Sequence, residues 1–386
     1  MKRFKKSPWA FIVLLGVVSL FSDMTHEGAR GITGPFLASL GATATAVGFI
    51  AGFGELTGYA LRLISGLISD RTKKYWTITI VGYLINLLAV PALALAGNWQ
   101  MAAVFMIMER LGKAIRNPAR DVMLSHATSS VGHGRGFAIH EALDQIGAVT
   151  GPLIVGAVYY FSGSYNSSFA VLLVPAVIAI SILLVARLKY PAPEILDVEK
   201  PDTQQKFPKK FFILYLIALS LIAAGFADYP LIAFHFEKTA QVPTEMIPVM
   251  YAIAMGVDAI AALLLGSLFD KHGIKILIGS TLISLFFVPL VFMGNFYTAL
   301  LGMVCWGVGM AAQESVVRAV LASTIPVEKR ATGFGVFNAV FGLFWFLGSF
   351  FMGWLYDVSI PWLIVFSMSF QLASIPIFVR LSNRKA

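Results

Sequence analysis

Twelve apolar runs, each close to the length that crosses a bilayer, follow one another along the chain with only short polar breaks between them. A bilayer core takes roughly 20 apolar residues per helix, so twelve transmembrane helices are predicted, at 9–36, 43–66, 75–97, 99–124, 134–160, 166–188, 210–235, 243–268, 274–294, 296–322, 329–356 and 360–381. The fold class that follows is an all-α membrane protein. Composition agrees, with 58% of the 386 residues hydrophobic and only 13% charged, too little polar surface for a water-soluble globule.

The net charge of +9 would suit nucleic acid, but its distribution argues for a different cause. Basic residues gather in alternate breaks: MKRFKK at the start, DRTKK at 70–74, His133 and Arg135, the 187–210 stretch, DKHGIK at 270–275, EKR at 328–330 and the RLSNRKA tail. The intervening breaks GATAT, GNWQ, SGSYNSS, GNFY and VSIP carry no Lys or Arg, and Lys238 stands alone on that side. The positive-inside rule then puts both termini in the cytoplasm of a cell (inner) membrane, with an even number of spans and no nucleic-acid partner. The basic patches also suit anionic lipid headgroups. The first run lacks a small-residue cleavage pattern and continues into Asp23 and Glu27, which reads as a retained span. Cys305, the single cysteine, falls inside a predicted span and is expected to pack. No His or Cys cluster has metal-ligand spacing, and GxxxxGK[ST] is absent. No metal, cofactor or enzymatic chemistry is therefore expected, and no ATP-driven pump on this chain.

The long polar stretch near the middle divides the chain into an N-terminal bundle over 1–188, a cytoplasmic linker over 189–209 and a C-terminal bundle over 210–386, and the two sides resemble each other. Gly66 and Asp70 of GLISDRTKK match Gly266 and Asp270 of GSLFDKHGIK at an offset of 200. Gly136, Phe137, Ala142, Gly151 and Gly156 fall on Gly333, Phe334, Ala339, Gly348 and Gly353 at an offset of 197, and FSD at 21–23 falls on FAD at 226–228. Two parallel six-helix halves with a G-x-x-x-D-[RK] loop in each resemble the major facilitator superfamily, and the resemblance covers the whole chain. It implies a gating role for Gly66, Asp70, Arg71, Gly266 and Asp270, with Lys271 where Arg is usual, and for Arg120 and Asp121 as the partner position of that charge network. A role limited to fixing topology is the alternative for Asp70 and Arg71. Span five carries GAVTGPLIVG, which resembles the glycine-proline run of bacterial and archaeal drug and proton antiporters. Gly147, Gly151 and Gly156 would form a small face for close helix packing, and Pro152 a kink.

Ionisable groups inside a bilayer cost roughly 3 kcal/mol or more and mark functional sites. Asp23, Glu27 and Arg30 follow an i, i+4, i+7 pattern on span one, as do Glu55, Tyr59 and Arg62 on span two. At ~1.5 Å per residue Asp23 and Glu55 lie at nearly equal depth, ~21–22 Å from the basic face. They are the first candidates for proton coupling, followed by Glu141 and Asp144 on span five. Span four carries Glu109, Lys113, Arg116 and Arg120 at steps read as one stripe, and Arg116 is expected to pair with Asp144. Asp228, Asp258, Glu314, Arg318 and Asn338 complete the set in the C-terminal half. Structural ion pairing with neighbouring arginines is the alternative role for each carboxylate, and a structural hydrogen bond the alternative for His26. The function expected is a secondary transporter of a small solute by alternating access, proton-coupled and exporting, acting as a monomer. A proton-coupled importer is the nearest rival, and a non-transporting sensor the more distant one. Carboxylates favour a cationic or zwitterionic solute, while Arg30, Arg62, Arg116 and Arg318 would receive an anion.

Overall fold

The computed structural model describes residues 7–128, 131, 133–192, 209–317, 320–321 and 330–383. The linker over 193–208, Arg318 and the side chain of Asp270 lie outside the described residues. The described secondary structure is helical throughout: α1 Pro8–Ser39, α2 Ala44–Thr72, α3 Tyr75–Ala92, α4 Trp99–Thr128, α5 His133–Ser162, α6 Tyr165–Ala170, α7 Leu173–Lys189, α8 Lys209–Gly225, α9 Tyr229–Thr239, α10 Ile247–His272, α11 Lys275–Ser284, α12 Phe287–Phe292, α13 Phe296–Ala311, α14 Arg330–Val358 and α15 Ile360–Ser382. Pairs α6 with α7, α8 with α9 and α11 with α12 each form one interrupted span, the sixth, seventh and ninth.

Eleven spans among the described residues are long and apolar enough to cross a membrane. The twelfth is α4, whose 30 residues make a helix ~45 Å long. It misses the apolar criterion because it carries Glu109, Arg110, Lys113, Arg116, Arg120 and Asp121. Lipid would reject that sequence, and burial among other spans accommodates it: Glu109 and Arg116 are buried.

The chain gathers into two compact units, Met1–Ala29 with Ala60–Pro201, and Arg30–Tyr59 with Asp202–Ala386. In the first unit Phe11, Leu15, Trp76, Tyr83, Leu87, Met123 and Leu183 form one buried cluster. Glycine sets its tightest crossings. A Cβ on Gly82 would meet the Arg116 amide nitrogen, and one on Gly147 or Gly151 would overlap the carbonyl oxygens of Leu20 and Met24. Spans four and five thus approach their neighbours backbone to backbone, which replaces hydrophobic drive where the surroundings are themselves apolar.

In the second unit Phe226, Tyr229, Tyr251, Trp306 and Trp345 stack around the interruption of the seventh span. The same use of glycine recurs: Gly348 lies against the Ala224 carbonyl, Gly34 against that of Pro230, and Gly48 against Ser349 and Gly353.

Candidate functional site

Two polar clusters stand out, one in each unit. In the first, His26 is 3% exposed and takes contacts on both ring nitrogens. Its Nε2 lies 2.7 Å from Lys113 Nζ and 3.1 Å from Asp23 Oδ1, and its Nδ1 lies 3.1 Å from Glu27 Oε1. The helical repeat brings Asp23 beneath His26 on span one, and span four supplies the amine from across the crossing. Farther along span four, Asn86 Nδ2 donates to Glu109 Oε1 at 3.0 Å and Arg110 Nε lies 3.2 Å from Glu109 Oε2.

The second cluster is built on the broken seventh span. Pro230 sits in the first turn of α9, so it has no amide for the Phe226 carbonyl and its ring would clash there. The helix stops at Gly225 and restarts at Tyr229, with Asp228 as N-cap. Asp228 Oδ1 accepts from the Tyr229 amide at 2.9 Å and from Arg30 Nη2 at 2.6 Å, and Oδ2 accepts from Trp345 Nε1 at 3.4 Å. Glu55 Oε1 lies 3.6 Å from the same Arg30 nitrogen. The carbonyls released by the break are also paired: Gln371 Nε2 and Ser367 Oγ donate to Gly225, and Trp306 Nε1 to Ala227 at 3.0 Å. A non-helical turn at membrane depth needs such partners.

The remaining expected residues distribute unevenly. Asp23 and Glu55, close in estimated depth, belong to different units and different clusters. The expected Arg116–Asp144 pair is not formed. Arg116 lies with its guanidinium carbon 4.2 Å from the Tyr83 ring centroid, and Asp144 Oδ2 lies 3.4 Å from His140 Nδ1. The reason is angular: residues seven apart lie at nearly the same angle, so Glu109 and Arg116 form one edge of the stripe, against span three, while Lys113 and Arg120 form the other, against His26 and Ser19 of span one. The stripe read from the sequence meets a different span along each edge.

Glu141 is exposed, Arg62 half-buried on span two, and Asp258 fully buried on span eight. Tyr59 packs edge-on to Phe341 at 5.7 Å. Glu314 sits in a π-helical turn, Ala312–Val316, at the end of span ten, and Asn338 is half-buried on span eleven. Such turns are frequent at functional positions in helices. Of the loop residues, Asp70, Arg71 and Lys271 are exposed, Gly66 and Gly266 partly so, and Arg120 binds its neighbour Asp121 through Nε and Nη2 at 3.0 and 2.8 Å.

Residues 12–349 and, in a second match, 229–385 fit the model of the Major Facilitator Superfamily. The chain belongs to that superfamily. Relatives of this facilitator include an uncharacterised protein of Mycobacterium tuberculosis, 39% identical over 96% of this chain and 92% of its own length. An uncharacterised MFS-type transporter of Methanocaldococcus jannaschii is 27% identical over 90% and 89%. Among solved structures, the nucleoside transporter NupG superposes with a TM-score of 0.73 at 12% identity, covering 97% of this chain and 100% of that one. An inward-facing, unoccupied bacterial homologue of the human lysosomal transporter Spinster superposes at 0.69 with 15% identity, covering 98% and 96%. At these identities the likeness establishes the fold. The facilitator is thus a multipass membrane protein and a secondary transporter of small solutes.

Trp345 is a site residue that sequence reasoning passed over, and Lys113 one that it named in the stripe of span four without a role. Spacing placed Lys113 on the face of Arg120 but carried no sign that this face meets His26 of span one. For Trp345 no local signal exists, because its partner is 117 residues away.

Proposed function

We propose that this facilitator couples transport to protons, that its solute is exported, and that His26 with Asp23, Glu27 and Lys113 is the coupling site. The observation that carries the proposal is the double contact at His26 Nε2, which faces both the Lys113 ammonium and the Asp23 carboxylate. That nitrogen accepts a hydrogen bond when the ring is neutral and donates one when it is protonated. A neutral ring donates from Nδ1 to Glu27 and accepts from Lys113. A protonated ring donates to both carboxylates and sets a second cation against the ammonium, which pushes Lys113 away. Two proton counts therefore correspond to two contact patterns between spans one and four, the kind of two-state element that alternating access needs.

In this reading the halves over 1–188 and 210–386 rock about a central solute, with both termini in the cytoplasm of the cell membrane. The Arg30–Asp228 bond and Glu55 tie segment 30–59 to spans seven and eleven, and each transport cycle breaks that tie. Export is supported by the glycine-proline run of span five, whose Gly147 and Gly151 seat directly on span one, the span that carries Asp23, His26 and Glu27.

Reconstitution in liposomes with an internal pH-sensitive dye, adding solutes class by class, tests the proposal. Wild type is compared with His26→Gln, Lys113→Gln, Asp23→Asn and Glu55→Gln. Solute-driven proton flux is expected in wild type and lost in His26→Gln and Asp23→Asn, while solute counterflow persists. Solute flux with no proton movement, unaltered in all four variants, would sink the assignment. Solute moving with an imposed proton gradient rather than against it would make the protein an importer.

A further inference from the structure

One basic cavity takes no part in the coupling scheme. It is open to the surface, holds about 390 Å³ and is lined by Lys73, Lys74, Tyr75, Trp76, Thr77, Arg187, Leu188 and Pro191. These residues come from the break between spans two and three, the first turn of span three, and the last turn of span six with the residues just beyond it. Three cations line it and no carboxylate does.

The geometry points to a binding site for the phosphate of an anionic membrane phospholipid. Three features carry it. Lys73 ends span two in the left-handed conformation at φ 54°, its amide donating to the Ser69 carbonyl at 2.8 Å, and this turn brings Lys73 and Lys74 together at the cavity. Trp76, buried in the wall, is locked by its Nε1 donating to the Tyr190 carbonyl at 2.9 Å, and Tyr190 in turn donates from its hydroxyl to the Ser7 carbonyl at 3.1 Å. The cavity wall is therefore fixed rather than adaptable. The apolar surface beside the cavity is the third feature: Leu188 is 80% exposed, and Leu184, Val185, Val81 and Leu84 continue outward-facing along spans six and three. Acyl chains would lie on that strip with the headgroup phosphate among Lys73, Lys74 and Arg187. The amides of Tyr75, Trp76 and Thr77 precede the first helical hydrogen bond, which Ile78 donates to Lys74, so they add donors on the same side. The strip faces lipid in any case, so a phospholipid can set its phosphate at the cations while its chains stay in the bilayer, which a soluble phosphate does not use.

The test uses the full chain, purified and monodisperse, with lipid adducts counted by native mass spectrometry against phosphatidylglycerol, phosphatidylcholine and inorganic phosphate. Wild type is expected to retain phosphatidylglycerol over phosphatidylcholine. The triple variant Lys73→Gln, Lys74→Gln, Arg187→Gln should bind it on the order of a hundredfold more weakly, and Arg187→Gln alone about fivefold. A control variant, Lys209→Gln with Lys210→Gln, removes exposed charge at the start of span seven and should bind as wild type does. Equal losses in the control and triple variants would reduce the effect to bulk charge and overturn the site. Equal retention of both lipids would overturn it as well. Saturation by inorganic phosphate with no phosphatidylglycerol preference would overturn the lipid assignment. If the triple variant does not fold, the single variant decides the matter alone.

Discussion

The triplets FSD at 21–23 and FAD at 226–228 stand at matching places in the two halves of the sequence, yet the molecule uses their aspartates in opposite ways. Around Asp23 the first span runs unbroken from Pro8 to Ser39, and the carboxylate meets a histidine that also meets an amine. Around Asp228 the helix is interrupted, and the carboxylate is held by a guanidinium, an indole and a backbone amide. One difference stands beside the break: Thr25 follows the first triplet by two residues where Pro230 follows the second. Thr25 Oγ1 donates to the Phe21 carbonyl at 2.8 Å and the helix continues, whereas Pro230 ends it. In the proposed scheme the first aspartate serves proton exchange and the second clamps Arg30. A repeat in sequence thus passes on a position in the fold without passing on a chemistry.

Removing Arg30 should have the largest effect. Arg30→Ala leaves Asp228 buried without its cation and should cost about 3–5 kcal/mol, read as a lowered unfolding temperature in detergent. His26→Gln retains a donor and an acceptor and should cost under about 1.5 kcal/mol. Equal losses in the two variants would erase the distinction between clamp and relay. Next comes Thr25→Pro, which removes the Thr25 amide and the hydroxyl bond to the Phe21 carbonyl in span one. We expect a loss of about 3 kcal/mol or more, while Pro230→Thr changes stability by less than about 1 kcal/mol. Hydrogen exchange should show new opening at 21–25 only in the first of these. Gly151→Leu would force a side chain into the Met24 carbonyl and should cost about 1–3 kcal/mol by thermal unfolding. The smallest effect is expected at Asp357, whose carboxylate accepts from the amides of Ala44 and Thr45 at 3.2 and 2.8 Å and so caps the start of span two from span eleven. Asp357→Ala should cost about 1 kcal/mol, with faster amide exchange confined to the first turn of span two.

Much of the architecture was legible before any coordinates, and the reason is the solvent. Lipid demands long apolar helices with internally paired backbones, so apolar runs located eleven spans and the length of the 99–124 run located the charged α4, most described ends agreeing within about three or four residues. The expected end of span ten at 322 and start of span eleven at 329 lie outside the described residues. The exceptions are informative. Span two was expected to end at 66 and runs to Thr72, because a helix does not stop where its side chains become charged. Spans six, seven and nine are interrupted just before Pro175, Pro230 and Pro289, a sign that hydropathy passes over and proline chemistry carries.

The polar sites were legible only as an inventory. Helical spacing put Asp23, His26 and Glu27 on one span and Arg30 one turn farther, and it placed Glu109, Lys113, Arg116 and Arg120 on one stripe, but it did not show which neighbouring span each edge of that stripe meets. The sequence by itself determined the family, the spans and which residues carry charge into the membrane, since each follows from local composition against a fixed apolar solvent. Which charges meet was left to the tertiary structure: Arg30 and Asp228 are 198 residues apart, Lys113 and His26 are 87 apart, and Trp345 and Asp228 are 117 apart. Pairings of that range depend on how helices rotate about their axes when glycine faces such as Gly82, Gly112, Gly147 and Gly151 bring backbones into contact. A rotation of one residue's 100° step exchanges every partner on the helix, and only packing selects it.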